Sequence, residues 1–334
     1  MPQVQGSREA SSSQPSSEQR ATSAPEMSLE CVNCLFEQPW WLEAVAPGSW
    51  REARVEVDGR VVARLPYVVR NRWGLTTVTQ PPLTQTLGPW VDPGSGSYTR
   101  KLTNEIELMD TLAASLMGFD FVSQNFHYSV RNALPFYWRG FDLRVAYTYV
   151  VEDLYTASDL AFFRSHIRRN IRKAQKQVVV RQDYDVDKAI ECSELSFRRQ
   201  GRGLPFDPEL VRRLDAACAR HAARQMFFAE DARGRIHAAL YVVWDARSAY
   251  YLFGGADPDL RASGAQSLLV WEAIKTLAGV TPVFDLEGSM KQSIEHFFRG
   301  FGATQKSFLN VSKASTRFSL LRAARDLVRR KDSR

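Results

Sequence analysis

The feature that most constrains the fold of this chain is an internal repeat. Residues 59–69 (GRVVARLPYVV) align, with one residue dropped, on residues 234–243 (GRIHAALYVV), and each segment follows an acidic turn. An Asp-Pro turn, an aromatic stretch ending in Arg-Gly-Phe and a closing apolar strand then recur in the same order. Asp92 and Asp257 each precede, by 27 residues, the Phe-Asp pair that opens the next strand. This ordered set of matches indicates a duplicated structural unit.

Each copy is predicted to fold as a hairpin, a third strand, a helix, a strand, a helix and a last strand. In the second copy Val270, Ala273, Ile274 and Leu277 form the apolar stripe of a helix that faces a sheet. The fold class is therefore α/β (α+β), with two tandem units that each contain a mixed sheet flanked by helices. The predicted ranges are 28–152 for the first unit, 153–312 for the second unit, 158–224 for a mainly helical insert within it (helices 160–176, 186–199 and 208–221), and 313–334 for a basic terminal helix.

The N-terminal segment differs in composition from the rest of the chain. Residues 1–27 are rich in Ser, Gln and Pro with few apolar side chains, so we expect a disordered tail. The segment lacks the apolar run of a secretory signal, and the sequence has no stretch long and apolar enough to span a membrane, so a cytoplasmic location is expected. The net charge of +7 and the pI near 9.3 favour anionic partners.

Two cysteines form a Cys-x-x-Cys pattern at Cys31 and Cys34. A structural zinc site needs four ligands, and no second such pair or close His pair follows. We therefore interpret them as free thiols rather than as a metal or redox site, and no metal is expected.

The strand at 283–290 (VFDLEGSM) and the following segment 294–303 (IEHFFRGFGA) carry, with the duplicated topology, a resemblance to a known family. The chain resembles GNAT acyltransferases, and in particular the Fem-type aminoacyltransferases and proteins with a BioF2-like acetyltransferase domain, over about residues 30–312. The resemblance implies transfer of an amino acid from aminoacyl-tRNA, or of an acyl group from a coenzyme A thioester, onto an amine.

The donor site implied by this resemblance is the loop before the central helix of the second unit. Its family pattern, Arg/Gln-x-x-Gly-x-Gly/Ala, matches residues 261–266 (RASGAQ), except that Gln266 replaces the last small residue. Backbone N–H groups at such a helix start bind phosphate. The alternatives are that Ser263 and Gln266 only form a capping box and that the two glycines of the preceding strand only make a turn. The predicted donor-binding residues are Gly254, Gly255, Arg261, Ser263, Gly264, Ala265 and Gln266.

The candidate catalytic residues are Asp285 and Glu287. They alternate on one predicted strand, so both should point to the same face near its carboxyl end. A carboxylate there could accept the proton of the attacking amine or bind its ammonium form; the alternative is a salt bridge to a neighbouring Arg. In the first unit Asp120 corresponds to Asp285, but the next residue on that face is Val122. The chemistry is therefore predicted in the second unit.

A basic helix is the candidate site for the acceptor or for another anion. Residues 164–176 include six basic and no acidic side chains. This pattern fits either a solvated face or a contact with tRNA, a nucleotide-linked acceptor or an anionic lipid. The predicted acceptor-binding or anion-binding residues are Arg168, Arg169, Arg172, Lys173, Ser289 and Arg299.

These observations predict an N-acyltransferase that passes an acyl or aminoacyl group to an amine, with a cell-envelope or polysaccharide precursor as the acceptor that the resemblance suggests. The donor would be acyl-CoA or aminoacyl-tRNA. One alternative is an acetyl-CoA-dependent N-acetyltransferase of a small amine. Another is a non-catalytic GNAT-like module that binds nucleic acid or anionic surfaces.

Overall fold

The protein is described by a computed structural model that covers residues 31–288 and 290–332. The predicted disordered tail lies outside the described residues. Residues of both copies share one mixed sheet of 12 strands, with the helices packed on its faces. The predicted α/β fold class with a duplicated unit is confirmed.

The first copy begins with helix α1 and contains six strands. The elements are α1 (Pro39–Val45), β1 (Trp50–Val57), β2 (Arg60–Arg72), β3 (Leu75–Thr79), β4 (Trp90–Val91), α2 (Tyr98–Ser115), β5 (Phe121–Asn125), α3 (Leu134–Trp138) and β6 (Asp142–Val151).

The second copy repeats this order after a connecting segment. The connecting elements are α4 (Leu154–Ala157), a 3-10 turn (Leu160–Phe162), α5 (Ser165–Ala174), β7 (Val179–Asp183), α6 (Val186–Arg198) and α7 (Pro208–Arg220). The repeat then comprises β8 (Arg224–Glu230), β9 (Ile236–Trp244), β10 (Ser248–Ala256), a 3-10 turn (Arg261–Ser263), α8 (Ala265–Leu277), β11 (Val283–Asp285), α9 (Gln292–Arg299) and β12 (Thr304–Ala314), and α10 (Thr316–Asp332) follows.

The last strands of the two copies are exchanged in the sheet. The strand order is β1-β2-β3-β5-β12-β6-β11-β10-β9-β8-β7, with β4 paired to β2. Strand β12 of the second copy thus lies between β5 and β6 of the first, while β6 pairs with β11 of the second. The boundary at residue 152 stays a prediction, because this exchange makes each copy contribute a strand to the other.

Strand direction assigns each connection to one end of the sheet. We define the upper end as the end at which β11 terminates. Strand β10 is parallel to β11, and β12 runs the same way because β6 is antiparallel to both β11 and β12. Strands β6, β5 and β3 therefore begin at the upper end, and β2 and β12 terminate there.

Alternating side chains of the central strands divide the core of the second copy into two layers. Met226 and Phe228 pack with α1, α6 and α7, whereas Phe227 and Ala229 pack with α5 and α8 on the opposite face. The first copy has its own core beneath α2. These layers fix the positions of α6 and α8 on either side of β10.

The predicted helix over 160–176 is wrong in its first part. The structure has a 3-10 turn there, and Phe163 adopts an extended conformation before α5 begins at Ser165. The Phe163 ring is buried against Phe301 with a centroid distance of 5.3 Å. This contact holds Phe163 in the core and interrupts the predicted helix. The other two insert helices lie within one residue of their predicted bounds, and the terminal helix spans Thr316–Asp332 within the predicted range 313–334. Strand β7 was not predicted.

Candidate functional site

The candidate site begins where two parallel strands separate. Strands β10 and β11 pair only over Ser248–Tyr250 and Val283–Asp285 within the described residues, whereas β10 continues beside β9 to Ala256. Between Tyr251 and Phe253 the β9–β10 register shifts by a bulge. The β11-facing edge of β10 beyond Tyr250 is thereby left without a strand partner, so its main-chain polar groups are available to a ligand.

A cleft of about 950 Å³ opens at this separation. Its lining comes mainly from β10, the start of α8, the turn after β11, helix α9, helix α6 and the segment 81–85 of the first copy. Of the predicted site residues, the lining includes Gly254, Gly255, Arg261, Gly264, Ala265, Gln266 and Glu287. Seven of the residues that the sequence analysis assigned to the site therefore line one cleft.

Glu287 has the most unusual geometry among these residues. It lies just after β11 in the left-handed backbone region, with φ of 51°, which is uncommon for a residue with a side chain. Its backbone N–H donates to Asp285 Oδ1 at 2.8 Å. Its carboxyl oxygen Oε1 is buried without a hydrogen-bond partner. Burial and, second, the charge of Asp285 raise the pKa of Glu287 well above its usual value.

Asp285 has a different environment, and the expectation that it shares a strand face with Glu287 is wrong. The strand ends at Asp285, so the alternation does not continue to Glu287. Asp285 is buried and does not line the cleft. Burial raises its pKa to about 6, against the opposing effect of the Thr148 hydroxyl and the Glu287 N–H, both of which donate to it.

Thr148 connects this carboxyl to the first copy. Its Oγ1 donates to Asp285 and accepts from Gly288 N at 3.0 Å and from Gln85 Nε2 at 3.3 Å. A Cβ on Gly288 would lie 2.6 Å from Thr148 Cα, so only glycine permits this approach of the turn to β6. Strand β6 therefore fixes the turn that carries Glu287.

Tyr251 is a site residue that the sequence analysis missed. Its hydroxyl accepts from Gln266 Nε2 at 2.9 Å and lies over Gly254, where a Cβ would be 2.4 Å from it. Burial, and then the charge of Glu287, raise the pKa of Tyr251, so the phenol is neutral at physiological pH and keeps its proton. A tyrosine three residues before the Gly-Gly pair was the available sequence signal.

The two glycines of β10 serve different purposes. A Cβ on Gly254 would meet the Tyr251 hydroxyl and Gln266 inside the cleft, whereas a Cβ on Gly255 would lie 2.1 Å from the carbonyl oxygen of Cys192 in α6. Gly255 therefore lets α6 pack directly on the strand. Ser196 of the same helix completes this contact, since its hydroxyl accepts from Ala256 N at 2.8 Å.

The predicted capping box at the start of α8 is not formed. The N-cap is Gly264, with φ of 83°, and a Cβ there would lie 2.7 Å from the carbonyl oxygen of Asn170. Ser263 is buried outside the lining and accepts from Ala265 N at 3.3 Å. Gln266 lies inside the helix and turns its side chain to Tyr251 instead of back to the cap. The close approach of α5 requires a glycine cap, and this shifts the helix start by one residue.

The basic residues of α5 lie outside the cleft. Ile167 and Ile171 are buried, and the predicted set of Arg168, Arg169, Arg172 and Lys173 lies on the remaining surface, where Arg168 is half-buried. Lys173 Nζ donates to Ala262 O at 2.6 Å, next to the donor loop. From this helix only Asn170 belongs to the cleft lining.

Two other predicted acceptor residues are not in the cleft lining of the described chain. Arg299 forms an ion pair with Glu295 at 2.9 Å on α9. Ser289 lies outside the described residues. Asp120, the counterpart of Asp285, makes structural hydrogen bonds. Its carboxylate accepts from Thr76 N at 2.9 Å and from the Ser315 hydroxyl at 3.3 Å.

Further lining residues come from segments that had no motif. Arg199 after α6, His237 on β9 and Lys291 before α9 contribute basic groups, in addition to the predicted Arg261. Phe206 packs on Phe253 at a centroid distance of 5.4 Å and extends the apolar part of the lining. These residues are far apart in the sequence, so no motif spacing could have predicted that they share one cleft.

Several buried polar atoms of the lining lack a protein partner. They are Ser193 Oγ, His237 Nδ1, Gln266 Oε1 and Glu287 Oε1. A buried polar atom without a hydrogen bond is costly, so such atoms are rare in folded proteins. Their concentration around one cleft indicates groups that a ligand would satisfy.

The described part of the chain shows neither a metal cluster nor a membrane-spanning helix. Residues 31–288 and 290–332 contain no cluster of three or more His, Cys, Asp or Glu side chains arranged to hold a metal ion. Cys31 and Cys34 are free thiols, and Cys34 is buried with its Sγ 3.5 Å from Thr86 Oγ1. Over these residues no helix is both long and apolar enough to cross a bilayer.

Comparison with known proteins agrees with this geometry. Residues 161–289 match the family described as an acetyltransferase (GNAT) domain. This range contains β10, α8 and the turn with Glu287, so it includes most of the cleft. No curated protein matches the sequence.

Solved structures extend the similarity to both copies. A structure of FemX is 12% identical with a TM-score of 0.61 and covers 82% of this chain and 91% of its own. The C-terminal domain of a putative lysylphosphatidylglycerol synthetase from Agrobacterium fabrum is 13% identical with a TM-score of 0.52, covering 82% and 87%. A conserved protein of unknown function from Bacteroides thetaiotaomicron is 12% identical with a TM-score of 0.52, covering 84% and 92%.

The family match thus identifies a GNAT acetyltransferase domain over residues 161–289, in agreement with the predicted acyltransferase class. Within that class, the fold of the whole chain is similar to that of Fem-type proteins, as the sequence resemblance predicted.

Proposed function

We propose that the protein is an N-acyltransferase that transfers an acyl or aminoacyl group to the amine of a cell-envelope or polysaccharide precursor, and that Glu287 is its general base. The observation that carries this proposal is the buried, unpartnered Oε1 of Glu287, held in a strained backbone conformation beside the separated strands. Strain of this kind persists only where the surrounding structure enforces it, and it concentrates at functional sites.

The chemistry needs a base, an oxyanion partner and a donor held in place. The amine nitrogen attacks the donor carbonyl carbon and forms the C–N bond, and Glu287 accepts the proton that the nitrogen loses. The carbonyl oxygen gains charge and is stabilised by N–H groups on the open edge of β10. The thiolate or the ribose oxygen of the donor then leaves with the electron pair of the broken bond and is protonated.

The neutral phenol of Tyr251 can protonate the leaving group. Its hydroxyl accepts from Gln266, so its own proton is available to a ligand in the cleft. Tyr251 lies near enough to Glu287 for the charge of that carboxyl to raise its pKa. An acid and a base therefore face the same volume, as acyl transfer requires.

The donor is an acyl-CoA thioester or an aminoacyl-tRNA, and both carry phosphates. Arg261 and the backbone at the start of α8 line the cleft, and a helix N-terminus with a basic neighbour favours phosphate. Gln266 turns toward Tyr251, so its side chain does not return to the helix cap. This supports coenzyme A as donor, and an acetyl-CoA-dependent N-acetyltransferase of a small amine is accordingly the second candidate.

Isothermal titration of the full chain with acetyl-CoA, charged tRNA and uncharged tRNA tests the donor. Saturable binding of acetyl-CoA that is lost on Gly264→Arg supports an acyl-CoA donor, since the Arg side chain would enter the space beside Asn170 and the helix cap. Binding of charged tRNA without binding of coenzyme A supports the aminoacyl donor. Binding of neither donor, with salt-sensitive binding of uncharged tRNA, contradicts the enzymatic proposal and favours the anion-binding module.

A further inference from the structure

The upper end of the sheet collects large apolar side chains that are exposed to solvent. Trp73 is 77% exposed at the turn between β2 and β3, and Trp138 is 60% exposed at the end of α3, just before β6. Met117, 43% exposed, lies between α2 and β5. All three connections belong to the upper end, because β3, β5 and β6 begin there.

Trp73 lies in a conformation that a tryptophan rarely adopts. Its φ is 53° and that of Gly74 is 70°, so two consecutive residues of this turn are left-handed, a pattern that normally selects Asn-Gly or Asp-Gly. The Arg72 guanidinium lies 4.2 Å from the centroid of its ring. An exposed aromatic ring held at a strained position, with a cation beside it, points to a partner outside the protein.

Helix α10 extends from the same end of the sheet. Its start is fixed, because Ser315 N donates to Asp120 O at 2.8 Å and the Phe318 ring stacks on Phe121 at 4.6 Å. Beyond this anchor the helix presents Leu320, 67% exposed, and Leu321, 50% exposed. Over residues 316–326 no side chain of this helix is fully buried, and an exposed apolar face of this kind is typical of a surface that contacts a partner.

The charge on this helix is basic. Arg317, Arg322 and Arg325 are exposed, and Arg325 lies 3.6 Å from Asp326. Arg317 also approaches the β2–β3 turn, since its guanidinium would lie 3.4 Å from a Cβ on Gly74. The helix and the turn therefore form one continuous surface.

We propose that this surface docks on an anionic lipid bilayer. The docking surface comprises Trp73, Met117, Trp138, Leu320 and Leu321 with the basic residues Arg72, Arg317 and Arg322. Tryptophan is favoured at the membrane interface, leucine gains by entering the acyl boundary, and arginine is attracted to anionic headgroups. None of these steps depends on the chemistry proposed for Glu287.

The position of the cleft agrees with this docking. Strand β11 ends at the upper end, and Glu287 follows it directly. The cleft and the docking surface thus lie at the same end of one sheet. In a docked enzyme the cleft would therefore face the bilayer. An amine on a lipid-linked precursor would be reached from that orientation.

The other occupants of such a surface fit less well. A second copy would place basic residues against basic residues, which is unfavourable. A nucleic acid would pair with the arginines but leave Leu320 and Leu321 exposed to water, where they gain nothing. A bilayer with anionic lipids matches the cations and the apolar side chains together.

Co-sedimentation of the full chain with vesicles tests the proposal. The probes are vesicles of phosphatidylcholine alone and of phosphatidylcholine with phosphatidylglycerol, at low and high salt. We expect binding to the anionic vesicles that weakens with salt, and a decrease in the partition coefficient of about tenfold for Trp73→Ser or Leu320→Glu. A double Arg317→Glu and Arg322→Glu variant should lose at least about tenfold more on anionic than on neutral vesicles.

Matched controls come from the opposite end of the sheet. Tyr98, 79% exposed at the start of α2, and Tyr155, 83% exposed after β6, are equally exposed but lie away from the docking surface. Tyr98→Ser and Tyr155→Ser should bind vesicles as the wild type does. Equal losses in controls and test variants, no preference for anionic vesicles, or self-association or tRNA binding in place of vesicle binding would each overturn the proposal.

Discussion

The hydroxyl of Thr148 donates to the buried carboxylate of Asp285, so a strand of the first copy holds an acidic residue of the second. The same hydroxyl accepts the N–H of Gly288. Because strand β6 is exchanged between the copies, this contact exists only through the pairing of β6 with β11. The first copy thus supports the candidate site although its own counterpart carboxylate, Asp120, is engaged elsewhere.

Thr148→Val should destabilise the fold and slow transfer. The substitution leaves the Gly288 N–H and the Asp285 carboxylate without their partner, and an unsatisfied buried group costs about 1–3 kcal/mol. Urea unfolding should show that loss in the free energy of unfolding. Thr148→Ser keeps the hydroxyl and should lose much less. Because valine keeps the methyl group and lacks only the hydroxyl, a Thr148→Val variant as stable as the wild type would show that the hydroxyl bonds contribute little.

Asp285→Asn should move the acid limb of the pH profile of kcat/KM to lower pH. The general base must be deprotonated, so the rate falls as pH drops through the pKa of Glu287. The Asp285 charge raises that pKa, and an asparagine removes the charge while its Oδ1 can still accept from Thr148 and from Glu287 N. The measurement is kcat/KM over pH 5 to 9 at about unit intervals. An acid limb at the same pH in both enzymes would show that Glu287 does not control the acid limb.

Tyr251→Phe should lower kcat by about 10-fold to 100-fold and change KM little, because a proton donor to the leaving group acts in the transition state. Steady-state kinetics with the donor established by titration measures this. Tyr155→Phe alters an exposed phenol outside the cleft lining and should leave both constants unchanged. A rise in KM at constant kcat would make Tyr251 a binding group only.

Gly255→Ala should destabilise the protein by about 1–3 kcal/mol, the usual cost of overpacking. The added Cβ would lie 2.1 Å from the carbonyl oxygen of Cys192, which is a main-chain atom and cannot turn aside. Gly279→Ala is the control, since a Cβ there meets nothing within 4 Å. Thermal unfolding of the two variants should differ in Tm; equal Tm values would mean that α6 moves at little cost.

The sequence predicted the duplicated fold because hairpins, helices and Gly-containing turns leave local signals. It placed the loop at 261–266 and the Gly-Gly pair in one candidate site for the same reason, and both contribute to the cleft lining. The strand exchange, and with it the role of Thr148, could not be predicted, because the pairing of β12 between β5 and β6 depends on contacts far apart in the chain. The predicted capping box is not formed because helix α5 approaches Gly264 closely. This tertiary contact overrides the local sequence pattern.

Glu287 combines a feature that the sequence predicted with a feature that only the fold determines. The alternation correctly selected it as a cleft residue but gave the wrong reason, since the strand ends two residues earlier. Its left-handed backbone depends on Asp285 and Thr148, which only the folded sheet brings together. Tyr251, Lys291 and His237 are likewise brought to the cleft by the fold and not by any motif.

The central claim is tested most directly by the transfer rate of Glu287→Gln under single-turnover conditions, with saturating donor and amine. The account predicts a rate lower by about 10²–10⁴-fold and loss of the acid limb of its pH profile, because glutamine cannot accept the proton. Stability and donor affinity should change little. Glu272→Gln, at a half-buried position of α8 outside the cleft lining, should react as the wild type does. A Glu287→Gln enzyme that transfers at the wild-type rate would contradict the account.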